Sequence, residues 1–312
     1  LNSATPGCLS RLKPRTRKVL LDSTKVGIAC IFLSGLLTYG IYTFEQSRQS
    51  QSSKTGGIYQ IEAKKRYSEN AEPSESDMSH NPLKKKDFLS PPLSETLIER
   101  SRAVTVTERY VDVMRWKVFL RETIPEEEDK IKGQILLLHG QSFSSQNWLD
   151  IHTPSILAAG GYHVAAIDLP GYGKTGGGAA QSSERDSFLE SVLSALPMEE
   201  PIIVSPSMSG TFALPLVMNH PNLVSGYVPV APVGTQEYTP EQYARTMVPS
   251  LIVYGDRDTS LGTLSASNLR QLPFSAVLKI KQAGHACYLN QPEVFHTALL
   301  NFANFVLKAS SA

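Results

Sequence analysis

Cysteine is scarce in this chain: 312 residues contain three, Cys8, Cys30 and Cys287. On the topology argued below they fall in cytosol, membrane and lumen, so the folded core must be stable without a disulfide. The seven histidines lack metal-ligand spacing, and the sequence calls for no metal or other cofactor. No charge of one sign dominates. Lys and Arg number 30 against 29 Asp and Glu, a net charge of +1, so no global field argues for nucleic acid or an acidic partner. No Asn-x-Ser/Thr acceptor occurs, so the pattern gives no N-glycan support for lumenal exposure. Internal repeats are absent. A phosphate-binding loop is absent too. Gly171-Tyr172-Gly173-Lys174-Thr175 imitates one, but the glycine required five residues before Gly173 is Asp168. That loop, with Gly176, Gly177 and Gly178 after it, reads as a flexible rim of a site.

Charge is nevertheless uneven along the chain. Residues 1–25 carry Arg11, Lys13, Arg15, Arg17, Lys18 and Lys25 against one acid, Asp22. The nineteen residues from Val26 to Phe44 then carry none. As a helix they would be about 28 Å long, close to the ~30 Å hydrocarbon core of a bilayer. A buried core helix would show a polar face, and a cleaved signal peptide would have a short basic start and a small-residue cleavage site. Neither pattern is present. Residues 26–44 are expected to be an uncleaved signal anchor, with the basic 1–25 segment cytosolic and the rest lumenal or extracellular, a single-pass type II protein. The chain starts at Leu1, so an initiator residue is expected upstream. Residues 45–100 are rich in Ser, Gln, Lys and Glu, contain Pro73, Pro82, Pro91 and Pro92, and lack apolar periodicity. They are expected to form a disordered stem in which Lys84-Lys85-Lys86 is a solvated charge run.

From residue 101 onward the pattern changes. Val104–Tyr110 and Met114–Leu120 alternate as an opening antiparallel pair, and Glu126–Asp129 reads as a solvated loop. Short apolar runs then alternate with helical stretches. Strands are expected at 134–138, 164–168, 202–205, 226–230, 251–254 and 276–280, with helices near 153–159, 184–196, 208–219, 240–246, 263–271 and 292–307. That order predicts an α/β domain over 101–312, with a mostly parallel sheet covered on both faces.

The chemistry concentrates at Ser205-Pro206-Ser207-Met208-Ser209-Gly210. It follows the strand-like Pro201–Val204 and precedes a helix, as a nucleophile elbow does. Small residues two positions either side let the backbone turn sharply and leave the Ser207 hydroxyl exposed at the positive end of the helix. A serine needs a base, and the chain order Ser, acid, His leaves His285 and His296. His285 follows Gly284 in a loop after a strand and is preferred; His296 sits in an amphipathic helix. The acid is Asp258 or Asp256, both after the strand Leu251–Tyr254. Asp258 lies further into the loop and is preferred, while Asp256 is better placed to tie the turn. The oxyanion donors are expected to be the N–H of Met208 and that of Gln141, aimed by unusual dihedrals at Gly140. His139 is expected to hydrogen-bond and fix that loop.

These pieces resemble the α/β-hydrolase superfamily from about Ser101 to the C-terminus. The strings are Leu136-Leu137-Leu138-His139-Gly140, Ala166-Ile167-Asp168-Leu169-Pro170-Gly171-Tyr172-Gly173, Ser205–Gly210, Val253-Tyr254-Gly255-Asp256-Arg257-Asp258 and Ala283-Gly284-His285. Ser205–Gly210, Val228-Pro229-Val230-Ala231-Pro232 and Gly284–Leu289 resemble the abhydrolase domain-containing 14 branch. The apolar N-terminal segment makes the chain similar to that branch's membrane-anchored member rather than its soluble one. The resemblance implies a Ser207–Asp258–His285 triad and hydrolase activity on esters or other acyl groups. The departure from the superfamily pattern is Ser, not Gly, at both flanks of Ser207.

Only a short connection separates Val230 from Leu251, so no large lid is expected and the site should be open. Phe143, Trp148 and Tyr172, with Gln141 and Met208, are the candidate wall residues for a small acyl or ester substrate. The competing reading is a non-catalytic interaction protein on a hydrolase scaffold.

Overall fold

The computed structural model describes residues 81–125 and 131–308. The basic segment 1–25, the proposed anchor 26–44, the first part of the stem and the acidic loop lie outside the described residues. Among the described residues no helix is long and apolar enough to cross a membrane.

Eight strands form one sheet: β1 (Thr107–Val113), β2 (Trp116–Thr123), β3 (Gly133–Leu137), β4 (Tyr162–Ile167), β5 (Ile202–Pro206), β6 (Gly226–Val230), β7 (Ser250–Gly255) and β8 (Ser275–Ile280). Their spatial order is β1-β2-β4-β3-β5-β6-β7-β8. β2 runs antiparallel to β1 and β4, and β3 to β8 run parallel to one another. The helices are α1 (Glu95–Ser101), α2 (Ser145–Asp150), α3 (Thr153–Ala159), α4 (Ser182–Ala195), α5 (Gly210–Asn219), α6 (Pro240–Arg245), α7 (Leu261–Leu269), α8 (Cys287–Asn290) and α9 (Pro292–Lys308).

Alternate residues of the central strands feed two cores. Leu136, Ile167, Ile203 and Ile252 pack with Phe188 and Val192 of α4, Phe212 and Leu216 of α5 and Leu269 of α7. Ile135, Leu137, Val204 and Val253 pack with Leu157 of α3 and Phe295, Leu299 and Phe302 of α9. Both faces are covered, which is why β4 to β7 read as continuous apolar runs rather than as alternating ones. The sheet winds left from β3 to β4 and right from β3 to β5, so the crevice beyond the carboxyl ends of β3 and β5 is the topological switch point.

Three expectations change. The opening pair is shifted: Met114 lies in the hairpin turn at φ 52°, with Val113 facing Trp116, not in a strand. Such a two-residue turn needs positive φ, and no Gly or Asn marks it in the sequence. Three short helices, α1, α2 and α8, lie outside the expected helical stretches; α2 is closed by a capping box between Ser144 and Asn147. The third concerns the stem, since residues 81–100 are part of the folded domain. The Asn81 amide donates to the carbonyls of Pro273 and Ser275, both at 2.9 Å. Phe88 is buried edge-on against Phe302 and Phe305, and Asn301 donates to the carbonyls of Phe88 and Pro91. Two isolated anchors, Leu83 and Phe88, do this work without any apolar period to betray it.

His296, expected in an amphipathic helix, is buried and shares a 2.8 Å hydrogen bond with Thr153 of α3. Burial, with His152 nearby, holds its imidazole down at about 4 against an ordinary 6.5. The unfolded chain therefore takes up this proton first as pH falls, and stability is lost between pH 6.5 and 4. The His296 contribution to unfolding free energy is expected to drop by about 2 kcal/mol from pH 7 to pH 5. Urea titrations at the two pH values check this: His296→Gln should remove that part of the difference.

Candidate active site

β5 ends at Pro206, a 3-10 turn covers Ser207–Ser209, and α5 begins at Gly210. Reversing from strand to helix in so few residues forces Ser207 to φ 52°. For a side chain with Cβ that conformation costs about 1–2 kcal/mol, so its neighbours must hold it. The Val233 amide donates to the Ser207 carbonyl at 2.9 Å. Gly210 allows the approach: a Cβ there would lie 2.5 Å from both Pro232 Cβ and the Val233 carbonyl oxygen. The flanking serines are accommodated. Ser205 and Ser209 are buried, Ser205 sharing a 2.9 Å bond with the Tyr227 hydroxyl and Ser209 donating to the Pro206 carbonyl at 2.8 Å.

The loops after β7 and β8 converge on this corner. Ser207 Oγ lies 2.8 Å from His285 Nε2, and His285 Nδ1 lies 2.7 Å from Asp258 Oδ2. Nδ1–H donates to the carboxylate, which leaves Nε2 to accept from the serine hydroxyl. Asp258 is buried and His285 is partly exposed. The start of α7 covers the acid: a Cβ on Gly262 would sit 2.8 Å from the Asp258 carboxyl carbon. Asp256 does not reach the imidazole. It accepts the Ala283 N–H at 3.2 Å and so ties the β7 and β8 loops together. Amide hydrogen bonds from Gln282 and Ala283 hold its carboxyl below the usual range.

The loop after β3 forms the opposite wall. A Cβ on Gly140 would meet the Phe143 ring at 3.3 Å and Ser207 Cβ at 3.4 Å, so the loop touches the elbow. Gly140 is not in the left-handed region; it is needed for close approach, which corrects the expected dihedral role. Gln141 follows it, exposed, in a turn closed by the Phe143 N–H on the Gly140 carbonyl. Met208 follows Ser207 in the first turn, where amides lack intrahelical partners. His139 Nε2 accepts the Leu169 N–H at 2.9 Å, so Nδ1 carries the proton and donates to the Gly140 carbonyl. Burial lowers its pKa and keeps the ring neutral.

Of the candidate wall residues, Phe143, Tyr172 and Met208 are half-buried beside the site. Tyr172 lies edge-on to the His139 ring at 5.5 Å. Trp148 is a core residue instead. It is buried, donates to the Leu138 carbonyl at 2.7 Å and stacks on Tyr288 and Phe295, so the aromatic cluster of α2, α8 and α9 claims it.

Sequence reasoning missed the frame behind these walls. Buried Asp168 accepts the Ser145 and Lys174 amides, each at 2.7 Å. The loop that imitates a phosphate site thus wraps around a carboxylate of its own chain. Beside it, buried Arg121 bonds Ser145 Oγ, Gln146 Oε1 and Glu108, pinning the start of α2. The glycines that follow are not a free rim either: Trp116 Nε1 donates to the Gly178 carbonyl at 3.0 Å. The failed Walker spacing at Asp168 was the available signal; nothing marked Arg121, which lies just past the expected strand Met114–Leu120 in the mixed sequence of β2.

This sheet order and site define the class of protein. A family model described as the alpha/beta hydrolase fold matches residues 134–248, and the chain belongs to that family. It falls in the ABHD14 branch. It is 44% identical over 191 residues to protein ABHD14A of Danio rerio, covering 59% of this chain and 71% of the relative. It is 41% identical over 203 residues to ABHD14B of Rattus norvegicus, named as a candidate protein-lysine deacylase, covering 64% and 96%. Among solved structures, a hydrolase described as CIB-like from Thermoplasma acidophilum is similar at TM-score 0.58 and 24% identity, over 64% of this chain and 98% of that one. A carboxylesterase of Bacillus subtilis gives TM-score 0.54 at 17% identity, over 66% and 95%. The two structures establish likeness of fold.

Gly210→Ala tests the account of the elbow. The clash with Pro232 and Val233 is expected to lower stability by about 1–3 kcal/mol. Thermal or urea unfolding of the variant measures it, and an unchanged midpoint would refute the packing argument.

Proposed function

We propose that the protein is a serine hydrolase that cleaves ester or other acyl bonds through an acyl-enzyme. The observation that carries this reading is the continuous relay from Ser207 Oγ through His285 to buried Asp258, at 2.8 and 2.7 Å. Ser207 Oγ attacks the substrate carbonyl carbon and its proton passes to His285 Nε2. Asp258 holds the tautomer and offsets the imidazolium charge. The Met208 and Gln141 amides take the developing oxyanion. His285 returns the proton to the leaving group, and the acyl-enzyme forms. Water, or an acceptor such as a thiol, then gives its proton to His285 and attacks the acyl carbon; the bond from that carbon to Ser207 Oγ breaks and His285 passes the proton to the serine oxygen.

The open approach favours small acyl groups on a larger carrier. The connection from β6 to β7 holds only the short helix α6, so no lid domain encloses the serine. The name carried by ABHD14B suggests acyl-lysine in proteins as one such carrier.

Ser207→Ala is expected to cut kcat on an activated ester by at least about a thousandfold with the fold intact, because the three groups act as a unit. A fluorophosphonate probe should label the native protein at Ser207 and leave the variant unlabelled. Folded native protein that resists the probe and turns over no ester would support a non-catalytic scaffold.

Residues 26–44 are proposed to anchor the enzyme as a type II membrane protein with its catalytic domain lumenal or extracellular. Alkaline carbonate extraction should leave the full-length chain in the pellet; release into the supernatant would defeat the anchor.

A further inference from the structure

Two lysines of the run that reads as solvated, Lys84 and Lys86, line a groove. The groove holds about 410 Å³ and lies between the segment around Pro82–Leu89 and the outer edge of β8. Its volume falls within the range of ligand pockets. It reaches the first residues of β7 and β8, whereas Asp258 and His285 follow the last ones, so it is a separate place in the fold.

Three features meet there. The first is cationic. Lys84, Lys86 and Arg270 line the groove, and none has an ion-pair partner among the described residues. One acid, Asp87, stands in the lining against these three cations, and one of its oxygens accepts the Leu89 amide. The second is apolar: Leu89 and Val277 line the groove and are 41% and 36% exposed. The third is the strand edge itself. Among the described residues β8 is the last strand of the sheet. The Ser250 amide bonds the Phe274 carbonyl and the Asp256 amide bonds the Ile280 carbonyl, so the even-numbered residues of β8 face β7. In a parallel ladder the alternate residues then turn their N–H and C=O outward. Asn81 takes one such carbonyl, that of Ser275. At Val277 and Lys279 nothing among the described residues takes the others.

We propose that this groove binds an extended acidic segment of a partner protein, which adds a strand to β8. The outward groups of Val277 and Lys279 would pair with its main chain, its carboxylates would meet Lys84, Lys86 and Arg270, and its apolar side chains would cover Leu89 and Val277. An anionic lipid surface would satisfy the charges but not the ordered donors and acceptors of a strand edge. The inference does not depend on the hydrolase reading.

The test uses the full chain and a fluorescein-labelled peptide of alternating Glu and Val, with a Lys-Val peptide as control. Anisotropy should show salt-sensitive binding of the Glu peptide only. Lys86→Glu with Arg270→Glu should weaken it about tenfold, with fluorophosphonate labelling of Ser207 unchanged. Hydrogen exchange on the native protein should show the Val277 and Lys279 amides protected by the peptide, a readout that needs no variant to fold. Three results overturn the proposal: no binding of the Glu peptide, equal binding of both peptides, or peptide binding without protection at Val277 and Lys279. Binding of phosphatidylserine vesicles in place of the peptide would assign the charges to a membrane surface instead.

Discussion

The left-handed backbone at Ser207 is the constraint on which the rest of the site depends. A chain that leaves a buried parallel strand and enters a helix at once has no relaxed way to turn. The strain falls on the residue whose hydroxyl must stand clear of the sheet. Its surroundings are shaped to hold it. Gly210 lets the corner close against Pro232 and Val233, the Val233 amide grips the Ser207 carbonyl, and Gly140 lets the facing loop come within contact. Serine at the two flanks fits because each hydroxyl finds a buried partner, so polarity is satisfied where glycine would have offered only space.

Buried charge is placed with equal economy. Asp258 lies beneath the start of α7 and engages His285 with its carboxylate, while the exposed Asp256, two residues earlier, laces two loops together. Asp168 and Arg121 do for the loops after β3 and β4 what Asp256 does for those after β7 and β8. A carboxylate that accepts two backbone amides fixes two chain segments at once, and it is tolerated in the interior because it is fully engaged. The groups that touch a substrate are few. The groups that hold those few in place are more numerous and more deeply buried.

The sheet also separates two kinds of surface. Its carboxyl ends gather the loops that carry the proposed chemistry, as doubly wound sheets do. Among the described residues the β8 edge has backbone and cations without partners, and natural sheets usually cover or blunt such an edge. Residues 81–91 cover part of it, from Asn81 on the Ser275 carbonyl to Phe88 on α9, and leave the rest open.

The sequence alone determined the α/β order, the parallel core strands, the serine at the elbow and the order of acid and histidine after it. These are local signals: hydrophobic period, turn residues and spacing along one chain. Asp256 and Asp258 both follow the same strand, and only the convergence of two loops brings Asp258 rather than Asp256 to the ring. Trp148 against Phe143, Gly140 as a contact rather than a turn, and the pinned glycines at 177 and 178 depend on what packs from elsewhere. So do the anchors Leu83 and Phe88, which extend the domain back to Asn81 without any periodic pattern. Asp168 and Arg121 belong to the same class, since a buried charge declares itself only through partners remote in sequence. Periodicity is written along the chain, but close approach and charge pairing exist only once distant segments meet, and tertiary structure decides them.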